Sequence, residues 1–252
     1  MNRSSLLKPF AALAAAALGL SACISTVPQD PARVPVPQAA VYGDSAPLMS
    51  PDQAVQTFLA VRSGMEPLIE TACRQKTRAA NCDFQIGVAD DPNLPPNAFQ
   101  TLDRAGRPVI AFTVSLIADA RNADELAFVM GHEAAHHIAG HIPRQQANAQ
   151  LGAALGAALG AAMGGGEQNI QLGQQIGGTY GARRYAKDFE LEADAIGTEL
   201  AFSAGFDPER GAAFFTRIPD PGNAFLGTHP PNADRIATVR RTLARMGVAP
   251  AG

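Results

Sequence analysis

The run Asn122-Ala123-Asp124-Glu125-Leu126-Ala127-Phe128-Val129-Met130-Gly131-His132-Glu133-Ala134-Ala135-His136-His137-Ile138-Ala139-Gly140-His141 decides how this chain is read. It opens like a capping box, with Asn122 ahead of Glu125, and predicts a helix running to about His141, where Pro143 stops it. Four of the chain's five histidines fall inside it. On a helix, side chains four apart share one face with roughly 5–6 Å between Cβ atoms. Two imidazoles so placed can both reach one metal ion at ~2.0–2.1 Å. His132/His136 and His137/His141 both satisfy that spacing. The neighbouring residue separates them, because Glu133 follows His132 and can serve as a general base on a metal-bound water, whereas Ile138 follows His137. The first pair is therefore assigned to the metal, and His137 and His141 to packing or surface. Ala134, Ala135 and Ala139 are the small neighbours that burial beside a metal requires.

A catalytic zinc takes three protein ligands and leaves one position open. The third is sought in Glu190-Leu191-Glu192-Ala193-Asp194, 54 residues past His136. Glu190 and Asp194 lie four apart on a second predicted helix. One carboxylate can ligate while the other hydrogen-bonds a ligating histidine and fixes its tautomer. Spacing alone leaves Glu192 open as well.

Around these helices the pattern predicts an α+β fold, mainly helical, with a small antiparallel sheet beside the histidine-bearing helix. Phe84–Val88 alternates like a strand and Val109–Val114 is a second β-rich run, with turn chemistry at Asp90-Asp91-Pro92 and Asp103-Arg104-Ala105-Gly106. Ser50-Pro51 suits a helix start, and Val55, Leu59, Leu68 and Ile69 suit helical positions. Residues 151–164 are nearly all Ala, Gly and Leu, with glycines at 152, 156, 160 and 164, so one helical face allows close backbone approach. That segment reads as a packed or mobile surface helix, or as a flap touching membrane or substrate. Helix resumes from Arg183 through Ala204, breaks at Gly205-Phe206-Asp207-Pro208, and a last amphipathic helix runs from Ala233 to Met246.

With 252 residues and 46% hydrophobic content the chain can bury one good core or two small ones. A net charge of -3 argues against a nucleic-acid binder. The start has a secretory shape: Arg3 and Lys8, then an apolar run from Phe10 to Leu20, too short for a membrane span of ~20 residues. Leu20-Ser21-Ala22-Cys23 resembles the bacterial lipobox, in which cleavage leaves Cys23 as a lipidated N-terminus. Residues 1–22 are then a lipoprotein signal peptide. Residues 23–49, with Pro28, Pro31, Pro35, Pro37 and Pro47, are a tether, and 50–252 the folded domain. Ile24 after the cysteine, by resemblance to enteric lipoproteins, favours the periplasmic face of the outer membrane. In that oxidising compartment Cys73 and Cys82 are expected to pair.

From about Asp52 to Arg245 the chain resembles the HtpX-, BepA- and LoiP-like zinc metalloproteases, gluzincin-type relatives of the CaaX-prenyl and Oma-type proteases. The matching stretches are Asp90-Asp91-Pro92, Asn97-Ala98-Phe99, Asp124-Glu125-Leu126-Ala127, His132 to His136, Glu190-x-x-Ala193-Asp194, Gly205-Phe206-Asp207-Pro208 and Thr228-His229-Pro230-Pro231. The resemblance implies a zincin-like domain holding one zinc through His132, His136 and Glu190. It makes Glu133 the base, with Asp194 and Arg235 behind the ligands. It also implies that His229 can reach the metal and latch its open position. Asp103-Arg104-Ala105-Gly106 stands where relatives commonly carry Gly-Gly, beside the edge that binds substrate backbone. Lacking the helical repeats of BepA-like members and the membrane spans of HtpX-like ones, the chain is most similar to LoiP-like lipoproteins. The expected activity is zinc-dependent endoproteolysis of misfolded or misassembled envelope proteins, with the lipid holding the chain to the membrane and no nucleic acid involved. The competing expectation is an envelope chaperone or assembly factor with a regulatory zinc site, against which an intact Glu133 weighs.

Overall fold

A computed structural model describes residues 47–164, 166–220, 222, 227 and 229–248. The leader, Cys23 and most of the proline-rich segment lie outside the described residues. Helix α1 (Pro51–Lys76) starts as its sequence dictates: the Ser50 hydroxyl accepts from the Gln53 N–H, Gln53 returns the bond to the Ser50 N–H, and Pro51 occupies the first turn. Its buried stripe is Ala54, Phe58, Val61, Met65, Ile69 and Cys73. Of the four apolar positions picked from the sequence only Ile69 faces the core; Val55, Leu59 and Leu68 are exposed. The larger Phe58 and Met65 side chains fix the helix's rotation.

The sheet has the order β1-β3-β2, with β1 at Gln85–Val88, β2 at Ala98–Leu102 and β3 at Pro108–Phe112. It is mixed, not wholly antiparallel: β2 pairs with β3 antiparallel and β1 pairs with β3 parallel. The turn at 103–106 explains the arrangement. Asp103 Oδ1 accepts from the Ala105 and Arg107 N–H groups, and Gly106 adopts a φ of 78°, closing a tight hairpin between β2 and β3. That gives the antiparallel place beside β3 to β2 and leaves the opposite edge to β1. The second β-rich run also ends earlier than expected, because Thr113 caps α2 (Val114–Asp119) by accepting from the Leu116 N–H.

Helix α3 (Ala123–Ile138) is the central element, contacting α1, β2, β3 and three later helices. Asn122 caps it by accepting from the Glu125 N–H, but the capping box is only half formed. The Glu125 carboxylate instead takes the Arg121 N–H and the Arg217 guanidinium. The helix ends before His141. Gly140, at φ 66°, turns the chain, and α4 (His141–Ala162) begins at once. Pro143 therefore sits in the first turn of a new helix, where its missing N–H costs nothing, rather than stopping the old one.

Helix α4 forms a hairpin with α5 (Glu167–Arg183), which the sequence pattern had not revealed. Glycines 152 and 156 on one helix lie against 177 and 173 on the other so tightly that a Cβ on Gly156 would lie 1.9 Å from the Gly173 carbonyl oxygen. Of the two readings of residues 151–164, a packed surface helix describes what the structure holds, and Leu151, Leu155 and Leu159 remain exposed along it. Then come α6 (Ala186–Ser203), α7 (Pro208–Ala212) with a short 3-10 turn (Ala213–Thr216), and α8 (Asn232–Arg245). The break falls at Gly205 as the sequence predicted, and Asp207 then caps α7, a short helix that the sequence pattern had not revealed. Phe84, Ile110, Phe112, Phe128, Met130 and Val239 are fully buried in one hydrophobic cluster that draws on α1, the sheet, α3 and α8. Among the described residues no helix is long and apolar enough to cross a membrane.

Candidate metal centre

Two glycines bring the chemistry-bearing helices together. At the crossing of α3 and α6, a Cβ on Gly131 would lie 2.9 Å from the Gly197 carbonyl oxygen, and one on Gly197 would lie 2.8 Å from the His132 nitrogen. Only hydrogen fits at either position, so the backbones touch. Glu190 and Asp194, about two turns and one turn before Gly197, are thereby set beside His132 and His136.

His132 Nε2 lies 3.1 Å from His136 Nε2 and 3.5 Å from Glu190 Oε2, and His136 Nε2 lies 3.5 Å from Glu190 Oε1. A tetrahedral ion with bonds of ~2.0–2.2 Å sets its ligand atoms ~3.3–3.6 Å apart. The three side chains therefore fit a divalent metal as they stand, and among the described residues they form a group able to hold one. Glu192, which spacing alone left open, points elsewhere.

The surroundings fix each donor. Asp194 is fully buried; its Oδ1 meets His132 Nδ1 at 2.9 Å, and both its oxygens accept from Arg235 at 2.6 and 2.8 Å. Arg235 in turn lies over the Phe215 ring, 3.7 Å from its centroid. Burial alone would raise the Asp194 carboxyl, but the bonds from Arg235 and His132 hold it below the usual range. Glu190 behaves likewise: burial opposes ionisation, while hydrogen bonds from His132 and His229 and the neighbouring imidazoles keep it well below the carboxylate range. For His132, burial and Arg235 push downward, yet the bonds to Asp194 and Glu190 prevail and raise it to about 9. His136 is lowered by burial and by the charge on His132. Burial thus favours the neutral form of His136, while Asp194 and Glu190 favour an added proton on His132.

Glu133 faces the same cleft from α3. Burial pushes its carboxyl up to about 7, against the pull of His132 and a backbone hydrogen bond from Gln100 on the edge strand β2. The cleft is a cavity of about 830 Å³, with Phe99 and Gln100 of β2 on one side and Phe189, Phe214 and Phe215 among its apolar walls. His229 is exposed at its rim, with Nδ1 3.1 Å from Glu190 Oε2. The structure thus brings together His132, Glu133, His136, Glu190, Asp194, His229 and Arg235. Away from this centre, Cys73 and Cys82 form a disulfide with their Cα atoms 5.7 Å apart.

Two histidines read as packing have separate fates. His137 points away, its Nε2 on the Asn81 carbonyl oxygen at 2.7 Å and its ring edge-on to Phe84. His141 is buried against the centre, its Nδ1 2.8 Å from His136 Nδ1 and its Nε2 3.2 Å from Glu192. The sequence signal for it, a histidine five residues after His136, does not resemble a helical pairing; it becomes visible only once Gly140 redirects the chain.

Protease HtpX of Thioalkalivibrio sulfidiphilus (strain HL-EbGR7) is 38% identical over 69 residues, which are 27% of this chain and 22% of that protein. The model of peptidase family M48, whose metalloproteases are zinc-dependent, matches residues 57–243, nearly the whole described domain. With that extent of match, and a His-His-Glu cluster of metal-binding geometry at its centre, the chain belongs to peptidase family M48.

Proposed function

We propose that this protein is a zinc-dependent endopeptidase of the bacterial cell envelope, cleaving unfolded or misassembled envelope proteins. The observation that carries the reading is the convergence of His132, His136 and Glu190 at ligand spacing, with Glu133 beside them in an open cleft. Zinc held there would supply an activated water and a positive charge for the oxygen of the scissile carbonyl. Glu133, its carboxyl pushed up to about 7 by burial, lies where it would act as the general base and then return the proton to the departing amine. Asp194 fixes the His132 tautomer so that Nε2 is free to ligate, and Arg235 keeps Asp194 ionised. The exposed edge of β2, next to Glu133, suits an extended peptide added as a further strand. A segment without regular structure fits that edge, which is why unfolded chains are the proposed substrates.

Location rests on the sequence. The leader and Cys23 support a lipid anchor, and Ile24 supports the periplasmic face of the outer membrane, as in LoiP-like lipoproteins. His229 is proposed as a latch: its contact with Glu190 at 3.1 Å puts an imidazole at the mouth of the centre, where it competes with substrate. The test is cleavage of unfolded casein by the zinc-loaded protein, run as wild type, Glu133→Gln and His229→Ala. Cleavage is expected in wild type, absent in Glu133→Gln and increased in His229→Ala. No cleavage by any zinc-loaded form would favour a chaperone, and reduced cleavage in His229→Ala would remove the latch.

A further inference from the structure

We propose that His141, held by Glu192, is the positioning residue for His136 and through it sets the centre's affinity for metal; the inference rests on the metalloprotease reading above. Each histidine of the pair turns Nε2 toward Glu190 and Nδ1 away from it. Behind His132 the partner is a carboxylate, Asp194. Behind His136 it is another imidazole, His141, and the carboxylate comes one step later, at Glu192.

The protons follow from that order. With His136 ligating through Nε2, its proton sits on Nδ1 and is donated to Nδ1 of His141. The proton of His141 then sits on Nε2 and is donated to Glu192. Every position in the chain has a partner of the right kind. The support is built rather than incidental: His141 is 4% exposed and stacks on Phe189 with ring centroids 4.6 Å apart and planes 12° from parallel. Arg144 donates to Glu192 at 2.7 Å and lies 4.4 Å from the Phe189 ring centroid. His137, which directly follows His136, makes none of these contacts.

The test uses the full chain as wild type, His141→Phe, His141→Asn, His141→Gln and Glu192→Gln. Zn²⁺ affinity is measured by chelator competition, and the visible absorption bands of Co²⁺-loaded protein report the ligand field. His141→Phe keeps a ring against Phe189 and removes the acceptor; we expect Zn²⁺ to bind ~10–100-fold more weakly and the Co²⁺ bands to shift. In His141→Asn the amide oxygen replaces Nδ1 and should restore most of the affinity, whereas His141→Gln should not. Glu192→Gln, which keeps an acceptor but loses the charge, should fall between. Thermal unfolding of the metal-free chain should be alike in all five. Unchanged affinity and bands in His141→Phe overturn the proposal. So does an equal loss in the Phe, Asn and Gln variants accompanied by a lower unfolding temperature, since that is the signature of packing alone. A wild type that binds no zinc at one per chain sinks the metalloprotease reading itself, an outcome distinct from both.

Discussion

The proton on His132 sets how the centre competes for a metal. Binding must displace it, because a ligating imidazole offers a lone pair. Burial and Arg235 would release that proton early, but Asp194 and Glu190 hold it, so the group titrates at about 9 rather than near 6.5. The sign follows: below that value each step down in pH leaves less deprotonated site. Apparent zinc affinity should therefore rise about tenfold per pH unit from pH 7 toward 9, one proton being released per ion. An affinity flat above pH 7 would show that His132 is already neutral there. Asp194 has a second role, since it neutralises Arg235 inside the protein. In Asp194→Ala that guanidinium is left buried without its carboxylate; we expect a loss of about 3–5 kcal/mol in chemical denaturation of the metal-free protein. A loss under 1 kcal/mol would mean that water reaches Arg235. At this scale the sequence was informative wherever partners sit on one helix face, as His132 with His136 and Glu190 with Asp194 do. It assigned His141 to packing or surface, because the contact with His136 depends on a left-handed glycine between two helices.

Among the elements, the crossing of α3 and α6 governs the site. Glu190 can meet the two histidines only because nothing but hydrogen separates Gly197 from the backbone at His132. In Gly197→Ala the new methyl has backbone on the facing side and cannot rotate away. The helices must separate, at a cost of about 1–3 kcal/mol, and the ligand set should open with them. The control is Gly64→Ala in α1, where a Cβ meets nothing within 4 Å. There the helix should gain about 0.5–1 kcal/mol with zinc binding intact. Equal zinc affinity in the two variants would show that the crossing tolerates a methyl. Two helices were readable from their caps, Ser50 and Asn122 each starting one, whereas Asp207 starts α7 where the sequence pattern showed only a break. Strand β2 was not, because an edge strand with one face in solvent lacks a clean apolar alternation, and only Ala98 and Gln100 are partly covered. Nor was α5, whose Gln- and Gly-rich sequence has no core-facing stripe and is held by backbone contact with α4.

At the level of the whole molecule, two fastenings act on separate parts of the fold. The metal would join α3 to α6. The disulfide joins the end of α1, through Cys73, to the segment leading into β1, through Cys82. Phe84, two residues past Cys82, rests against His137 on α3, so the disulfide also steadies the outer face of the histidine helix. Cross-linking nine residues apart restricts the unfolded chain by about 3 kcal/mol in the loop-entropy account. The double variant Cys73→Ala, Cys82→Ala should lose about that much in chemical denaturation, slightly more if the buried Cys73 site leaves a cavity. It should still bind one zinc per chain, because the ligands lie on α3 and α6 and their approach is set at Gly131 and Gly197, not at the sheet. Denaturation with and without excess zinc separates the two effects: the metal should add the same increment to both proteins, since it binds the same native site in each. A zinc increment that shrinks in the double variant would show that the α1–sheet layer and the α3–α6 crossing unfold as one unit, and that the disulfide belongs to the machinery holding the ligands in place.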